Sequence, residues 1–83
     1  MSVNIIKAGR IVRTSKNLRG MLDYARISTV RRVETTPLPA GAGSLRVLYR
    51  DGAETRANFE SYEVMLDWVK RRRSWAGAAF VNY

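Results

Sequence analysis

The residues best suited to chemistry in this sequence are cations, and their densest group is a run of four. Lys70, Arg71, Arg72 and Arg73 are consecutive, and Trp75 follows two positions later. Arginine forms forked hydrogen bonds to phosphates and carboxylates, and cations beside aromatic rings suit nucleic acid as a ligand. The sequence therefore predicts a binding patch at these five residues. A merely solvated helix end is the alternative, because positive charge is also favoured in the last turn of a helix.

A second group of cations recurs every three residues near the start of the sequence. It consists of Lys7, Arg10, Arg13, Lys16 and Arg19. Within one strand this spacing would alternate between faces, so the group forms a continuous edge only in an arm or where a strand leads into a helix. An arm that lies in a nucleic-acid groove is the functional interpretation. Solvated charges on a strand and at a helix start are the alternative.

The sequence offers few residues for catalysis, metal binding or cofactor binding. The 83 residues include no cysteine and no histidine, which excludes disulfides, Cys/His zinc sites and imidazole bases. Asp23, Asp51 and Asp67 are expected on different elements, so no acid/base pair is predicted. Gly41 and Gly43 precede a strand rather than a helix, so no phosphate-binding loop is predicted either. We therefore expect no catalytic residue, no cofactor and no metal.

Positive charge is concentrated in two parts of the sequence. Fifteen Lys and Arg against seven Asp and Glu give a net charge of +8. Residues 1–32 hold eight cations and one carboxylate, residues 33–69 carry a net charge of −3, and residues 70–73 add four cations. This density is typical of proteins that bind nucleic acid or an acidic protein surface. The short apolar stretches predict neither a signal peptide nor a membrane partner, so a cytoplasmic protein is expected.

Two amphipathic helices are predicted to position these cations. The first is expected to run from an N-cap at Ser15 to about Ile27, with the apolar stripe Leu18, Met21, Leu22 and Ala25. The second follows an N-cap at Ser61, and its stripe is Tyr62, Met65, Leu66 and Val69, widened by Val64 and Trp68. Arg19 and Arg26 then lie on the polar face of the first helix. The run of four cations ends the second helix.

Four to five strands are predicted around the helices. Residues 3–14 read as one interrupted strand or two short strands, and a mobile arm over residues 1–14 is the alternative. Residues 30–36 are β-branched and strand-like, and residues 37–43 form a loop that is rich in proline and glycine. Residues 78–83 can add a short edge strand.

The turn of a predicted hairpin decides which residues enter the core. A two-residue turn at Asp51 and Gly52 would place the apolar residues of one strand on the same face as polar residues of the next. A three-residue loop, Arg50 to Gly52, with Gly52 left-handed, removes this conflict. One face then carries Leu45, Val47, Tyr49, Ala53, Thr55, Ala57 and Phe59. The other face, which is predicted to be wet, carries Arg46, Leu48, Glu54, Arg56 and Asn58.

The element order is β-α-β-β-β-α-β, which predicts a single α+β domain over residues 1–83. We expect an antiparallel sheet of four to five strands with both helices packed on one face. The α-β-β-β-α middle resembles the order of double-stranded-RNA-binding domains. Those domains place a basic cluster at the start of their last helix, whereas here residues 70–73 end that helix. No binding residue is therefore transferred from them.

Two segments resemble small accessory proteins of tailed phages and prophages. They are SKNLRGMLDYAR at residues 15–26 and YRDGAETRANFESYEVMLDWVKRRRSW at residues 49–75. The resemblance covers about half of the chain and brings no catalytic motif. It implies a setting, because such proteins often bind and disable a host machine, and anti-CRISPR proteins are one class of them. The expected function is non-enzymatic inhibition of a host nucleic-acid-handling defence complex. Direct DNA or RNA binding by an accessory or regulatory protein is the alternative.

Overall fold

A computed structural model of the protein describes residues 3–83. Its elements are β1 (Val3–Lys7), β2 (Arg10–Ser15), α1 (Arg19–Tyr24), β3 (Val30–Pro37), β4 (Gly43–Tyr49), β5 (Glu54–Phe59), α2 (Tyr62–Lys70) and β6 (Ala79–Asn82). Short 3-10 turns lie between β3 and β4 (Pro39–Gly41) and between α2 and β6 (Arg73–Trp75). The predicted α+β class is confirmed.

The strands form one six-stranded mixed sheet in the order β2-β1-β5-β4-β3-β6. The prediction of four to five strands is corrected to six, because residues 3–15 supply two short strands, which confirms that interpretation of the segment over a single strand or an arm. Ala8 and Gly9 join these strands, and both have positive φ, as a two-residue type I′ turn requires. Met1 and Ser2 of the arm interpretation lie outside the described residues.

The sheet is also not purely antiparallel, because β6 pairs with β3 in parallel. Each of the hairpins β3–β4 and β4–β5 reverses the chain, so β5 runs in the same direction as β3. Helix α2 then returns the chain across the sheet, and a helical crossover delivers the next strand parallel to the one before it. β6 therefore enters beside β3 in the same direction.

The hairpin of β4 and β5 has the predicted three-residue loop. Leu48 lies opposite Glu54, and the N–H of Tyr49 donates to the carbonyl of Ala53 at 2.9 Å. Gly52 has a φ of +89°, so it is the left-handed residue of the turn. The seven side chains assigned to the inner face are all buried. The register argument is confirmed.

Helix α1 is shorter than predicted and does not begin at Ser15. It spans Arg19–Tyr24, and its N-cap residue, Leu18, makes no capping hydrogen bond through its side chain. Ser15 instead ends β2 and lies against Gly20, where an added Cβ would come within 2.5 Å of the Ser15 Cβ. This close approach of helix and strand explains why glycine stands inside a helix. The side chain of Asn17 accepts a hydrogen bond from the N–H of Arg19 at 3.0 Å and supports the entry to the helix.

Helix α2 matches its prediction closely. The Ser61 hydroxyl accepts a hydrogen bond from the N–H of Val64 at 3.3 Å, so the predicted N-cap is confirmed. Met65 and Val69 are buried against the sheet. Val64 is 60% exposed, so it does not widen the apolar stripe, whereas Trp68 is half-buried and packs on the core.

Both helices cover the same face of the sheet. The hydroxyl of Tyr49 on β4 donates to the carbonyl of Met21 in α1 at 3.3 Å. A Cβ added to Gly43, also on β4, would meet Met65 of α2 at 2.9 Å. The core therefore lies between one helical layer and one sheet, and the prediction of two helices on one face is confirmed.

Candidate binding site between the two helices

A cleft between α1 and α2 consists of two adjoining hollows. One, of about 420 Å³, is lined by Asn17, Leu18, Arg19, Leu22 and Trp68. The other, of about 340 Å³, is lined by Leu22, Ala25, Arg26, Arg71, Arg72, Arg73 and Ser74. They share Leu22, so we treat the two together as the interhelical cleft.

The floor of the interhelical cleft is apolar. Leu22 of α1 packs on the core, as do Leu18 and Ala25, the residues just before and after that helix, and Trp68 does so from α2. All four are only partly buried. The predicted apolar stripe of the first helix thus has two sides, one in the core and one open to a ligand.

Arginines lie at the two ends of this apolar floor. Arg19 lies at one end of the cleft, and Arg26 lies at the other end beside Arg71, Arg72 and Arg73. The sequence placed Arg26 on the polar face of the first helix but did not assign it to the site. No local pattern shows that the end of α1 meets the end of α2, because this neighbourhood depends on how both helices pack on the sheet.

Arg72 is held in place by Trp68. Its guanidinium carbon lies 4.8 Å from the centroid of the indole ring, and its Nε donates to the Trp68 carbonyl at 3.2 Å. The ring itself packs against Phe59 and Trp75 at centroid distances of 5.8 and 5.6 Å. A cation–π contact and one hydrogen bond therefore fix the orientation of this arginine before any ligand arrives.

The other cations of the run point in different directions. Arg71 forms an ion pair with Asp67 at 3.0 Å, and because both side chains are more than half exposed the pair is weak. Lys70 does not line the interhelical cleft but lies in a groove on the other side of α2, next to β6. Arg72 and Arg73 line both the cleft and this groove. The structure thus splits the predicted patch between two surfaces.

Trp75 belongs to the core, which corrects its assignment as a surface contact. It is 1% exposed, because the 3-10 turn after α2 folds the chain back and inserts the ring beneath Trp68. Its Nε1 has no hydrogen-bond partner among the described residues. An aromatic residue next to cations in the sequence can contact a ligand or pack in the core, and the sequence alone did not distinguish these two roles for Trp75.

The predicted N-terminal row of cations is spread along the molecule. Arg10 lies opposite Lys7 at the β1–β2 turn. Arg13 lines a small hollow that also contains Asp23, and Lys16 lies in the connection to α1. The row does pass from strand into helix, but only Arg19 reaches the interhelical cleft.

On the open face of the sheet, arginines are paired with carboxylates. Arg32 Nε lies 2.7 Å from Glu34, Arg46 lies 3.1 Å from Glu34 and 2.6 Å from Glu54, and Arg56 lies 3.6 Å from Glu54. Burial raises the pKa of Glu34, but hydrogen bonds from Arg32 and Arg46 outweigh this and hold it below its usual value. These arginines are occupied by partners within the chain. The face that was predicted to be wet thus carries three arginines that share two carboxylates, so most of its positive charge is compensated.

Other kinds of site are not found in the described part of the chain. Residues 3–83 contain no cluster of three or more metal-ligating side chains. Neither helix has the length and apolar character to cross a bilayer. Comparison of the chain with protein-family models, with curated proteins and with solved structures found no significant match.

Proposed function

We propose that this protein is a non-enzymatic inhibitor that docks on an acidic surface of a host nucleic-acid-handling defence complex. The setting is the cytoplasm of a cell infected by a tailed phage. The contact surface is the interhelical cleft. The observation that supports this most directly is the apolar floor of the cleft, which has arginines at both ends.

The composition of the cleft favours a folded protein as its ligand. Protein interfaces have an apolar, aromatic centre and a polar rim, and tryptophan and arginine supply most of their strong contacts. Leu18, Leu22 and Trp68 form such a centre, and Arg19 and Arg26 lie at its two ends. Interfaces with nucleic acid are more polar throughout. An acidic protein surface with an apolar side chain at its middle fits the cleft better than a phosphate backbone does.

Electrostatics supports the same partner. The net charge of +8 attracts an acidic surface over a distance and raises the association rate. Arg72 is already oriented on Trp68, so little side-chain entropy is lost when it meets a carboxylate. The arginines on the open sheet face are paired internally and add little to this attraction.

Direct nucleic-acid binding is the second candidate, and one observation favours it. Trp68 is only half-buried and carries a guanidinium on its ring, and single-stranded nucleic acid stacks on such aromatic and arginine surfaces. A protein that neutralises about five phosphates should lose affinity with a log–log salt slope of about −4 to −5 on duplex DNA and about −3.5 on a single strand.

A plating assay tests the first candidate. The protein is expressed in bacterial strains that each carry one nucleic-acid-targeting defence system, and the plating efficiency of a sensitive phage is measured. We expect the wild type to restore plating in at least one strain. The double variant Arg26→Gln/Arg71→Gln should lose this effect, because both residues line the interhelical cleft.

A charge-matched variant is the control. Arg10→Gln/Arg31→Gln removes two exposed cations that do not line the cleft, so it should retain full inhibition. Equal loss in both variants would show that total charge rather than the cleft is responsible. Fluorescence anisotropy with labelled duplex DNA, single-stranded DNA and RNA at two salt concentrations then separates the candidates. Tight binding of free nucleic acid with this steep salt slope would contradict the proposal of an inhibitor and support direct nucleic-acid binding.

A further inference from the structure

A second groove lies on the opposite side of α2 from the interhelical cleft. It is bounded by α2 and β6, has a volume of about 490 Å³, and is lined by Thr35, Leu66, Val69, Lys70, Arg72, Arg73, Ala76, Phe80 and Asn82. Its walls are apolar at Leu66 and Phe80, and the latter is 48% exposed. Two exposed cations, Lys70 and Arg73, lie along it. We call this the α2–β6 groove.

The groove adjoins a free edge of the sheet. β6 is the last strand in the sheet order, and it pairs with β3 on one side only. The N–H of Tyr83 donates to the carbonyl of Thr35 on β3 at 2.8 Å. Because the backbone groups of successive residues in a strand point to opposite sides, those of Phe80 and Asn82 point away from β3. This edge therefore presents two N–H and two C=O groups without a partner strand among residues 3–83.

The two residues that present this backbone also present their side chains to the groove. Phe80 lies in register with the buried Val33, and Asn82 with the buried Thr35, so both side chains are on the helical side of the sheet. A strand that pairs with β6 would therefore direct every second side chain toward α2. Backbone pairing and side-chain pockets together are the features of strand-addition sites for peptides.

We propose that the β6 edge and the α2–β6 groove bind an extended acidic segment of a partner protein, which adds to the sheet as a seventh strand. One apolar side chain of the segment occupies the groove between Leu66 and Phe80. Acidic side chains two positions before and after it face Lys70 and Arg73. This site lies on the other side of α2 from the interhelical cleft and shares only Arg72 and Arg73 with it. It does not depend on the function proposed for that cleft.

Charge selects the occupant. A segment from a second copy of this chain is disfavoured, because each copy carries a net charge of +8 and the groove itself is cationic.

The other sheet edge, β2, carries Arg10 and Arg13, and its pairing with β1 is interrupted by a bulge. Charges and bulges of this kind discourage strand pairing at an edge.

A designed peptide tests the proposal in solution. The probe is the blocked peptide TETLTET, in which leucine and two glutamates share one face of the strand. It is titrated to millimolar concentration into the ¹⁵N-labelled full-length protein and followed by NMR. We expect shifts at the amides of Leu66, Lys70, Phe80 and Asn82, and slower hydrogen exchange at Phe80 and Asn82. Absence of shifts, or shifts confined to the interhelical cleft, would overturn the proposal.

Two matched variants separate backbone pairing from side-chain contact. Asn82→Pro and Asn82→Ala both lose the side-chain hydrogen bond with Thr35, but only the proline removes the N–H at the free edge. We expect the proline variant to bind the peptide about fivefold more weakly than the alanine variant, as the loss of one hydrogen bond implies. Equal binding by the two variants would exclude strand addition.

Charge is tested separately at a residue that only this groove contains. Lys70 lines the α2–β6 groove and not the interhelical cleft. Lys70→Gln should weaken binding of TETLTET and leave binding of the neutral peptide TQTLTQT unchanged. Arg26→Gln/Arg71→Gln should bind TETLTET like the wild type. A loss of binding in the Arg26/Arg71 variant, with none in Lys70→Gln, would contradict the assignment.

Discussion

The hydroxyl of Tyr24 donates a hydrogen bond to the carboxylate of Asp51, which joins the end of α1 to the turn between β4 and β5. The other carboxylate oxygen accepts the N–H of Ala53 at 2.9 Å. Lys7 Nζ lies 3.8 Å from the oxygen that accepts from Tyr24. The N–H of Asp51 in turn donates to the hydroxyl of Ser28 at 3.0 Å. One aspartate thereby connects the β4–β5 turn with the end of α1, the connection after it and the end of β1, and no local sequence pattern predicts these contacts.

Removal of the Tyr24 hydroxyl should destabilise the protein. We expect Tyr24→Phe to lower the free energy of unfolding by about 1–2 kcal/mol, because a hydrogen bond to a charged, partly buried group is lost. The ring is retained, so its edge-to-face contact with Tyr49 at 4.7 Å remains. Urea denaturation measures the change. Tyr62→Phe is the control, since its hydroxyl makes no hydrogen bond within residues 3–83, and an equal loss in both variants would contradict the role of Asp51.

The same carboxylate should make stability depend on pH in the acid range. Burial raises the pKa of Asp51, but hydrogen bonds from Tyr24 and Ala53 and the charge of Lys7 outweigh this and hold it below its usual value. A depressed pKa means that the stabilisation is present above the unfolded-state pKa of about 3.9 and is lost as the pH falls below it.

We therefore expect Asp51→Asn to weaken the fall in urea midpoint between about pH 5 and pH 2. Some dependence should remain, because hydrogen bonds from Arg46 also hold the pKa of Glu54 below its usual value. Glu60→Gln, at an exposed carboxylate without an ion pair in the described structure, is the control. Identical pH profiles for wild type and Asp51→Asn would refute the prediction.

The left-handed turn residue gives a prediction that involves backbone strain alone. An added Cβ at Gly52 would meet no atom within 4 Å, but the φ of +89° is unfavourable for any residue with a Cβ. Gly52→Ala should therefore cost about 1 kcal/mol or more. Gly77→Ala serves as the comparison, since its Cβ also meets nothing and its φ is not positive. Similar melting temperatures for the two variants would contradict the assignment of the strain.

The position of Trp75 predicts a large effect on folding. Trp75→Ala should lower the stability by about 3–5 kcal/mol, because it empties a fully buried site beneath Trp68. Trp75→Phe should cost much less, since it keeps a ring and removes the Nε1 donor that has no partner among the described residues. Thermal unfolding followed by circular dichroism measures both. If Trp75→Ala changed the melting temperature little, Trp75 would not be a core residue, and its predicted role in the surface patch would stand.

The sequence predicted those parts of the fold that local patterns determine. A two-residue turn at Gly52 was rejected because it would place apolar and polar residues on the same face of the hairpin. The N-cap at Ser61 and the apolar stripe that follows it located α2. The predicted start of α1 was wrong. Serine is a common N-cap residue, but Ser15 lies in a strand, and α1 packs against it at Gly20. Local chemistry cannot show such long-range packing.

The candidate site was predictable in composition but not in arrangement. Residues 70–73 were found from their density of charge, yet the structure divides them between two surfaces. Arg26 was missed because it is brought to the cleft by the packing of α1. The parallel pairing of β6, which creates the α2–β6 groove, follows from the path of the helical crossover and not from residues 79–82 themselves.

The contact between Trp68 and Trp75 gives the protein an optical signal of its own. Their ring centroids are 5.6 Å apart and their planes differ by 72°. Two indoles in this geometry are close enough for exciton coupling, which produces a pair of circular-dichroism bands of opposite sign. One ring is in the core and the other forms part of the cleft. The same pair of bands should therefore disappear on unfolding and change in amplitude when the cleft is occupied, without any attached dye.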